Sequence, residues 1–296
     1  MNKQTILIAG ATGNIGGGAA VALAKRGAKV VLLGRRLERL EAKVNSIRIA
    51  LSETQIECQD TDIATLVIEF SDMESVKHAA AEAMSRFPMI NGLILSVGAL
   101  LQNGPTILPS GHEMMFAMNV MGPFLFTQLL LDRMQQSDGL VLHVIAPFYE
   151  EIDWDDLESI ESTRNHRTET AYHRTKTCNR VIAAELARRY AGKISSVAFN
   201  PTYIIDKTDP ELKKRWPTGF VGLYWKVMTI LMAKPPAVVG EPIADLMLTH
   251  KDRSAINGAL FKLDKRVEKP DKAMNGQVLG KRLWDELVLL TGLTAE

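Results

Sequence analysis

The sequence predicts a doubly wound α/β domain: a mostly parallel sheet with helices on both faces, in a single unit spanning residues 1–296. Three observations predict it. Short apolar runs alternate with stretches of helical periodicity as far as Phe199. A glycine-rich turn stands between the first run and the first helix. No repeat, low-complexity tract or linker divides the chain.

The elements follow in order. Thr5 to Ala9 is a short apolar run ended by Gly10, as a buried parallel strand should be. Ile15 to Arg26, rich in alanine and closed near Gly27, reads as a helix. Lys29 to Leu33 is the second strand. Arg36 to Leu51 is a helix with Leu37, Leu40 and Val44 at helical spacing. Leu66 to Phe70 is expected to be the third strand, and Met73 to Arg86 a helix capped by Ser71 or Asp72. Gly92 to Val97 is the fourth strand. Glu113 to Met134 is helical, with a bend at Gly122-Pro123, because proline suits a first turn or a kink better than a helix interior. Gly139 to Ile145 is a strand, Ala171 to Tyr190 a helix, and Ile194 to Phe199 a strand ended by Asn200-Pro201.

Two segments depart from this alternation. Glu150 to Glu169 holds eight acidic residues against Arg164 and Arg167, and reads as a solvated excursion. Tyr203 to Pro236 follows the last of these strands and carries Phe220, Leu223, Tyr224, Trp225, Met228 and Met232. Its place near the strands' carboxyl ends suits a segment (203–236) that covers a ligand crevice and faces an apolar substrate; core or subunit packing would use the same stripe.

Composition bounds the function. With 46% hydrophobic residues, 23% charged residues and a net charge of +1, the chain lacks the basic bias of a nucleic-acid-binding protein. Its most apolar stretch, Phe220 to Ala233, is interrupted by Lys226 and too short for an integral membrane span, though a peripheral membrane or subunit contact would suit it. Cys58 and Cys178 form no disulfide framework, which suits a reducing, cytoplasmic setting. His166 and His173 match no zinc spacing, so no metal is expected.

The turn Gly10-Ala11-Thr12-Gly13-Asn14-Ile15-Gly16 leads from strand to helix. A pyrophosphate needs free backbone N–H groups at a helix N-terminus, and glycine permits its close approach. The position therefore predicts a dinucleotide site of Rossmann type. The next strand ends in Gly34-Arg35-Arg36, with no acid before Glu38. An adenosine 2′-phosphate would meet guanidinium there, which predicts NADP(H) over NAD(H).

With these features the chain resembles the short-chain dehydrogenase/reductase family along essentially its whole length. Within that family it is most similar to the branch of retinol dehydrogenases and protochlorophyllide reductases. The acidic insertion Ile152-Asp153-Trp154-Asp155-Asp156-Leu157, the helix around Glu185-Leu186-Ala187-Arg188-Arg189, and the tail Arg282-Leu283-Trp284-Asp285-Glu286-Leu287 before Thr291-Gly292 carry the branch. The resemblance implies that Tyr172 is the acid/base, that Lys176 bonds the nicotinamide ribose and lowers the tyrosine pKa, and that Asn119 serves structure and proton relay. It implies further cofactor contacts from Glu69 at the adenine, from Ser96 and Gly98 after the fourth strand, and from Pro201 near the nicotinamide. A homodimer or homotetramer is the family's expectation, with the helices at Glu113 to Met134 and Ala171 to Tyr190 able to supply its interface, though the same helices also fit a monomer. The residues alone agree on one point: Tyr172 and Lys176, four apart on a helix, share a face.

The chain departs from the family's pattern where its catalytic serine should stand. Ile145 and Ala146 occupy the two serine positions, and neither side chain can donate a hydrogen bond. Three side chains are weighed as replacements: Tyr149, three residues on and preferred; His143, which strand alternation turns to the opposite face; and Thr202, which stands where the family's Pro-Gly pair has its glycine. The leading function is an NADP(H)-dependent oxidoreductase acting on a hydrophobic ketone or secondary alcohol. The alternatives are a repurposed scaffold for a non-redox isomerisation, cyclisation or elimination, and a non-catalytic NADP(H)-binding regulator.

Overall fold

In the computed structural model the described residues are 3–56, 59, 62–98, 100–101, 104–156, 161, 163, 166–207, 219–249, 252–264, 267–268 and 272–294. For Gly219, Phe220, Val221, Tyr224, Trp225, Met228 and Glu268 the description is of the backbone alone. Strand β1 (Thr5–Ala9) enters helix α1 (Asn14–Lys25), followed by β2 (Lys29–Gly34), α2 (Leu37–Glu53), β3 (Ile63–Val67), α3 (Met73–Arg86) and β4 (Gly92–Leu95). A short α4 (Met114–Phe116), a π turn (Ala117–Met121) and α5 (Gly122–Gln135) lead to β5 (Leu140–Val144), α6 (Thr168–Arg189) and β6 (Ser195–Asn200). Then come α7 (Gly219–Met232), α8 (Ala237–Leu248), β7 (Leu260–Lys262), β8 (Val267–Glu268), α9 (Lys272–Asn275) and α10 (Gln277–Leu290).

The strands form one sheet in the order β3-β2-β1-β4-β5-β6-β7-β8, parallel except for the final β7–β8 pair. Alternation along each strand sends side chains to two buried faces. Leu7, Val31, Leu93 and Val141 pack under α3, α5, α6 and α10. Ile6, Val30, Ile94 and Leu142 pack under α1, α2 and α8. Burial on both faces is why these strands read as continuous apolar runs. The strand order reverses between β1 and β4, so the turns that follow those two strands flank a crevice at the carboxyl edge of the sheet.

Several boundaries differ from the sequence reading. The third strand lies at Ile63–Val67, with Val30 opposite Ile63, rather than at Leu66–Phe70. It is an edge strand with partly exposed Ala64 and Thr65, so the more apolar run just after it gave the wrong register. Asp72 is the cap of α3, accepting from the N–H groups of Glu74 (3.0 Å) and Ser75 (3.4 Å). A π turn, rather than a simple proline bend, precedes Gly122-Pro123. The acidic excursion is anchored: Glu161 is buried, meets His112 Nδ1 at 2.9 Å and accepts from the Glu113 N–H at 3.1 Å. Leu157 to Ile160 and Arg164 in that excursion lie outside the described residues, as do Cys58 and residues 208–218 of the covering segment.

The helices named for a subunit interface are engaged within the chain. Trp284 of α10 packs edge-on against Phe124 of α5, with ring centroids 4.9 Å apart, and lies beside Tyr190 at the end of α6. The stretch Met114–Gln135 is long and apolar enough to cross a membrane by composition, but 83% of its most apolar window is buried inside the protein, as in a core helix.

Candidate active site

The glycine turn closes tightly on the end of β4. Gly10 has φ +77°, and a Cβ there would stand 3.0 Å from the Ser96 backbone. A Cβ on Gly16 would be 2.5 Å from the Gly10 carbonyl oxygen and 2.6 Å from Ser96 Oγ. Glycine is thus required by close approach as well as by conformation. Ser96 braces this contact: its N–H reaches the Ala9 carbonyl at 3.1 Å, and its hydroxyl donates to the same oxygen. Gly13 is the N-cap of α1 and provides no side-chain cap, while Asn14 and Ile15 open the helix, with Thr12 in the turn before it. First-turn N–H groups left uncapped at a helix N-terminus suit a phosphate.

Arg35 and Arg36 are exposed at the end of β2. Arg35 Nη1 lies 4.0 Å from the Glu69 carboxylate, and Arg36 Nε lies 3.8 Å from Glu38. The Glu69 side chain is oriented by the Ser71 hydroxyl (2.9 Å) and N–H (3.2 Å). Two guanidiniums and a fixed carboxylate thus mark the far end of the crevice, on the edge that begins at the glycine turn.

Tyr172, Lys176 and Gly98 meet at the centre. A Cβ on Gly98 would lie 3.0 Å from Lys176 Nζ and 3.5 Å from the Tyr172 hydroxyl. Lys176 is buried and donates to the carbonyls of Val97 (2.8 Å) and Val144 (3.2 Å), which ties α6 to the ends of β4 and β5. Asn119, buried in the π turn, donates through Nδ2 to the Thr175 hydroxyl (3.2 Å), which in turn donates to the Tyr172 carbonyl (2.7 Å). The departure from regular helix at Ala117–Met121 sets this asparagine against the turn of α6 that carries Tyr172.

Burial dominates the electrostatics. It pushes the Tyr172 phenol up to about 12 and lowers the Lys176 ammonium to about 8. Desolvation of the phenolate therefore opposes the lowering of the tyrosine that the family resemblance implies for Lys176, whose ammonium donates to two backbone carbonyls. Burial also lowers His143 to about 3, with help from the Lys176 charge, so its imidazole stays neutral. Cys178 is buried and its thiol pushed up to about 12, so it is no nucleophile at neutral pH.

Ile145 and Ala146, read from the resemblance as standing at the serine positions, are both buried. The Ala146 carbonyl accepts from the Arg180 guanidinium, a contact that sequence reasoning missed although Tyr172, Lys176 and Arg180 recur every four residues on α6. Tyr149, the preferred replacement, is 40% exposed on the loop beyond β5, where Phe148 stacks near His173. Thr202 is different. The register of β5 and β6 ends at the pair Val144–Phe199, two residues before Ala146 on one side and two before Pro201 on the other. Thr202 has φ +64°, its N–H is held by Asn200 Oδ1 at 3.0 Å, and its buried hydroxyl has no hydrogen-bond partner among the described residues. Burial favours Thr202 over Tyr149. Of the apolar stripe in the covering segment, Leu223 and Met232 are exposed, and the side chains of Phe220, Tyr224, Trp225 and Met228 lie outside the description.

Similarities to known proteins fall on this arrangement. A family model described as short chain dehydrogenase matches residues 4–149. Human retinol dehydrogenase 13 is 29% identical over 301 residues, covering 99% of this chain and 86% of its own length. A putative daunorubicin C-13 ketoreductase from Streptomyces sp. (strain C5) is 29% identical over 198 residues, 67% of this chain and 65% of its own. Among solved structures, a putative short chain dehydrogenase from Shigella flexneri 2a str. 301, complexed with NADP, superposes with a TM-score of 0.63 at 20% identity, covering 89% of this chain and 98% of that one.

Proposed function

We infer that this chain, a member of the short-chain dehydrogenase/reductase superfamily, is an NADP(H)-dependent oxidoreductase that interconverts an apolar ketone and its secondary alcohol. The convergence of the Tyr172 hydroxyl and Lys176 Nζ on Gly98, one strand from a glycine turn that no larger residue could form, carries the reading. The residues fit the dinucleotide: a Cβ would fill the cradle at Gly10 and Gly16, and the uncapped first turn of α1 faces it. Thr12, Gly13, Asn14 and Ile15 would hold the pyrophosphate, Arg35 and Arg36 the 2′-phosphate, and Glu69 the adenine. Ser96, Gly98 and Pro201 would line the remainder, and Lys176 the ribose. When bound, the nicotinamide supplies or takes the hydride.

The protein's own part is to hold and move a proton. With its pKa raised to about 12, Tyr172 is neutral at physiological pH and ready to give its proton to a developing alkoxide, which is the requirement of carbonyl reduction. The reverse reaction needs the phenolate, which is scarce near neutrality, so oxidation of the alcohol should gain as pH rises. Asn119, through Thr175, keeps the Tyr172 turn in place. The similarity to retinol dehydrogenase 13 and the covering segment support an apolar substrate of the kind handled in that branch.

The test is turnover of a panel of hydrophobic ketones, followed at the reduced-nicotinamide absorbance. Tyr172→Phe should lower kcat by about 10²–10⁴ while NADPH affinity is kept. A variant as active as the parent would refute the assignment. The missing donor at Ala146 favours one competing reading, a scaffold that uses Tyr172 without hydride transfer. Product formed with no NADPH consumed would establish that reading instead.

A further inference from the structure

The outer side of α7 is the most concentrated exposed apolar surface among the described residues. Leu223, Val227, Ile230 and Leu231 recur at i, i+4, i+7 and i+8, one stripe of a helix, and Ile230 and Leu231 are 60% and 75% exposed. Thr229 and Ala233 are buried, with the Tyr203 and Thr229 hydroxyls 3.2 Å apart, while Met232 beside them is exposed like the stripe. The helix is therefore seated in the fold with its apolar stripe turned outward. Its described charges have one sign. Lys226 and Lys234 stand exposed along it, and Lys207 donates to the Ile230 carbonyl at 3.1 Å. From Asp206 to Lys234 the sequence carries six basic residues against Asp206, Asp209 and Glu211, in a chain whose net charge is +1; Lys213, Lys214, Arg215, Asp209 and Glu211 lie outside the described residues.

We propose that this face of α7 is a docking surface for an anionic lipid bilayer. An apolar stripe flanked by lysine is the pattern of a helix lying in the membrane interface, where the stripe enters the acyl boundary and the ammonium groups meet phosphate headgroups. Charge separates this occupant from a second copy of the chain. A two-fold contact would set the same patch against itself, bringing like charges together. The surface also adjoins the site. Just beyond Pro201-Thr202, Lys234 N–H donates to the Tyr203 carbonyl (2.9 Å) and Ile205 N–H to the Lys234 carbonyl (3.0 Å). A substrate dissolved in the bilayer would reach the crevice beside this helix without crossing water. The docking itself does not rest on the oxidoreductase reading, and its test uses no turnover.

The full chain is floated with phosphatidylcholine vesicles, with and without phosphatidylglycerol, at low and high salt. The parent should bind the anionic vesicles, and less so at high salt. The double variant I230E/L231E should lose at least about tenfold in vesicle affinity. K226E should lose binding to anionic vesicles while I230E/L231E also loses any binding to neutral ones. Circular dichroism melts identical to the parent's show that the variants are folded, and single I230S and L231S variants replace the double one if its melt is lowered. A parent that binds no vesicles at low salt overturns the proposal, as does a variant series that binds like the parent. So does a parent that is dimeric by light scattering and that I230E/L231E converts to a monomer without vesicle binding, since the face would then belong to a second copy.

Discussion

Replacing Thr202 by glycine should make the protein more stable. A β-branched residue at φ +64° is held in the left-handed region, where its Cβ crowds the backbone, at a cost of about 1–2 kcal/mol. Its hydroxyl is buried without a partner among the described residues, which adds about 1–3 kcal/mol of lost hydration. Glycine removes both costs but frees the unfolded chain, returning about 0.5–1 kcal/mol. The balance is a gain of about 1–4.5 kcal/mol, or roughly 2–9 °C in Tm at the low sensitivity of a long chain. Thr202→Val separates the two costs, because it keeps the strain and removes only the hydroxyl, and should gain less than glycine does. Calorimetric melts of the three proteins decide. A glycine variant with an unchanged or lower Tm would refute the strain argument outright. Turnover measured on the same samples bears on chemistry: if the Thr202 hydroxyl stands in for the missing serine donor, both variants lose kcat although both are more stable, the trade expected where strain is kept at a functional site.

Arg35→Ala should weaken NADPH far more than NADH in fluorescence titrations, because only the 2′-phosphate needs a guanidinium; equal losses would remove the phosphate assignment. Ala146→Ser should raise ketone turnover by at least about tenfold, up to the 10²–10³ seen for comparable oxyanion donors; no rise in kcat would mean another group already fills the role. His143 gives a pH signature. Its folded pKa of about 3 lies below the unfolded 6.5, so the stability it confers is complete above pH 6.5 and is lost as pH falls towards 3. By pH 4.5 the loss should reach about 3 kcal/mol, and denaturant melts of His143→Asn should lack that slope. An identical acid slope in the variant would show that the imidazole is not held neutral.

The parts of the fold legible in sequence were those dictated by local chemistry. The run Thr5–Ala9, the glycine turn and the alanine-rich α1 gave the sheet's centre because each is a backbone or burial requirement written in neighbouring residues. The β3 boundary failed because an edge strand need not be apolar, and β7 and β8 escaped notice because three and two residues carry no period. At the site, the Tyr172–Lys176 spacing showed that the pair shares a face, but not what the lysine touches. Its bonds to Val97 and Val144 join residues far apart in sequence, and with them the balance that leaves the phenol near 12 rather than lowered. Thr202 was visible as a replaced glycine; its positive φ was not.

The geometry around Ala146 bears on whether the site is built for chemistry. Tyr172, Lys176 and Arg180 lie on successive turns of one helix, and the last two are buried cations. Desolvating each costs several kcal/mol, only partly returned by carbonyl acceptors. A protein that merely bound a dinucleotide could hold the pyrophosphate with Gly10, Gly13 and Gly16, the 2′-phosphate with Arg35 and the ribose with Lys176, and would gain nothing from a second buried cation at Arg180. What the two cations do is fix the ends of β4 and β5 to α6: Lys176 through Val97 and Val144, Arg180 through Ala146 itself. The backbone at the serine position is thereby clamped to the helix that carries the acid. That rigidity has its use where a proton must pass between a phenol and a substrate oxygen in one fixed geometry, since an ångström of looseness there costs rate steeply. The clamp keeps the rigid frame that proton transfer from Tyr172 requires, and this favours a working catalyst over a retired one.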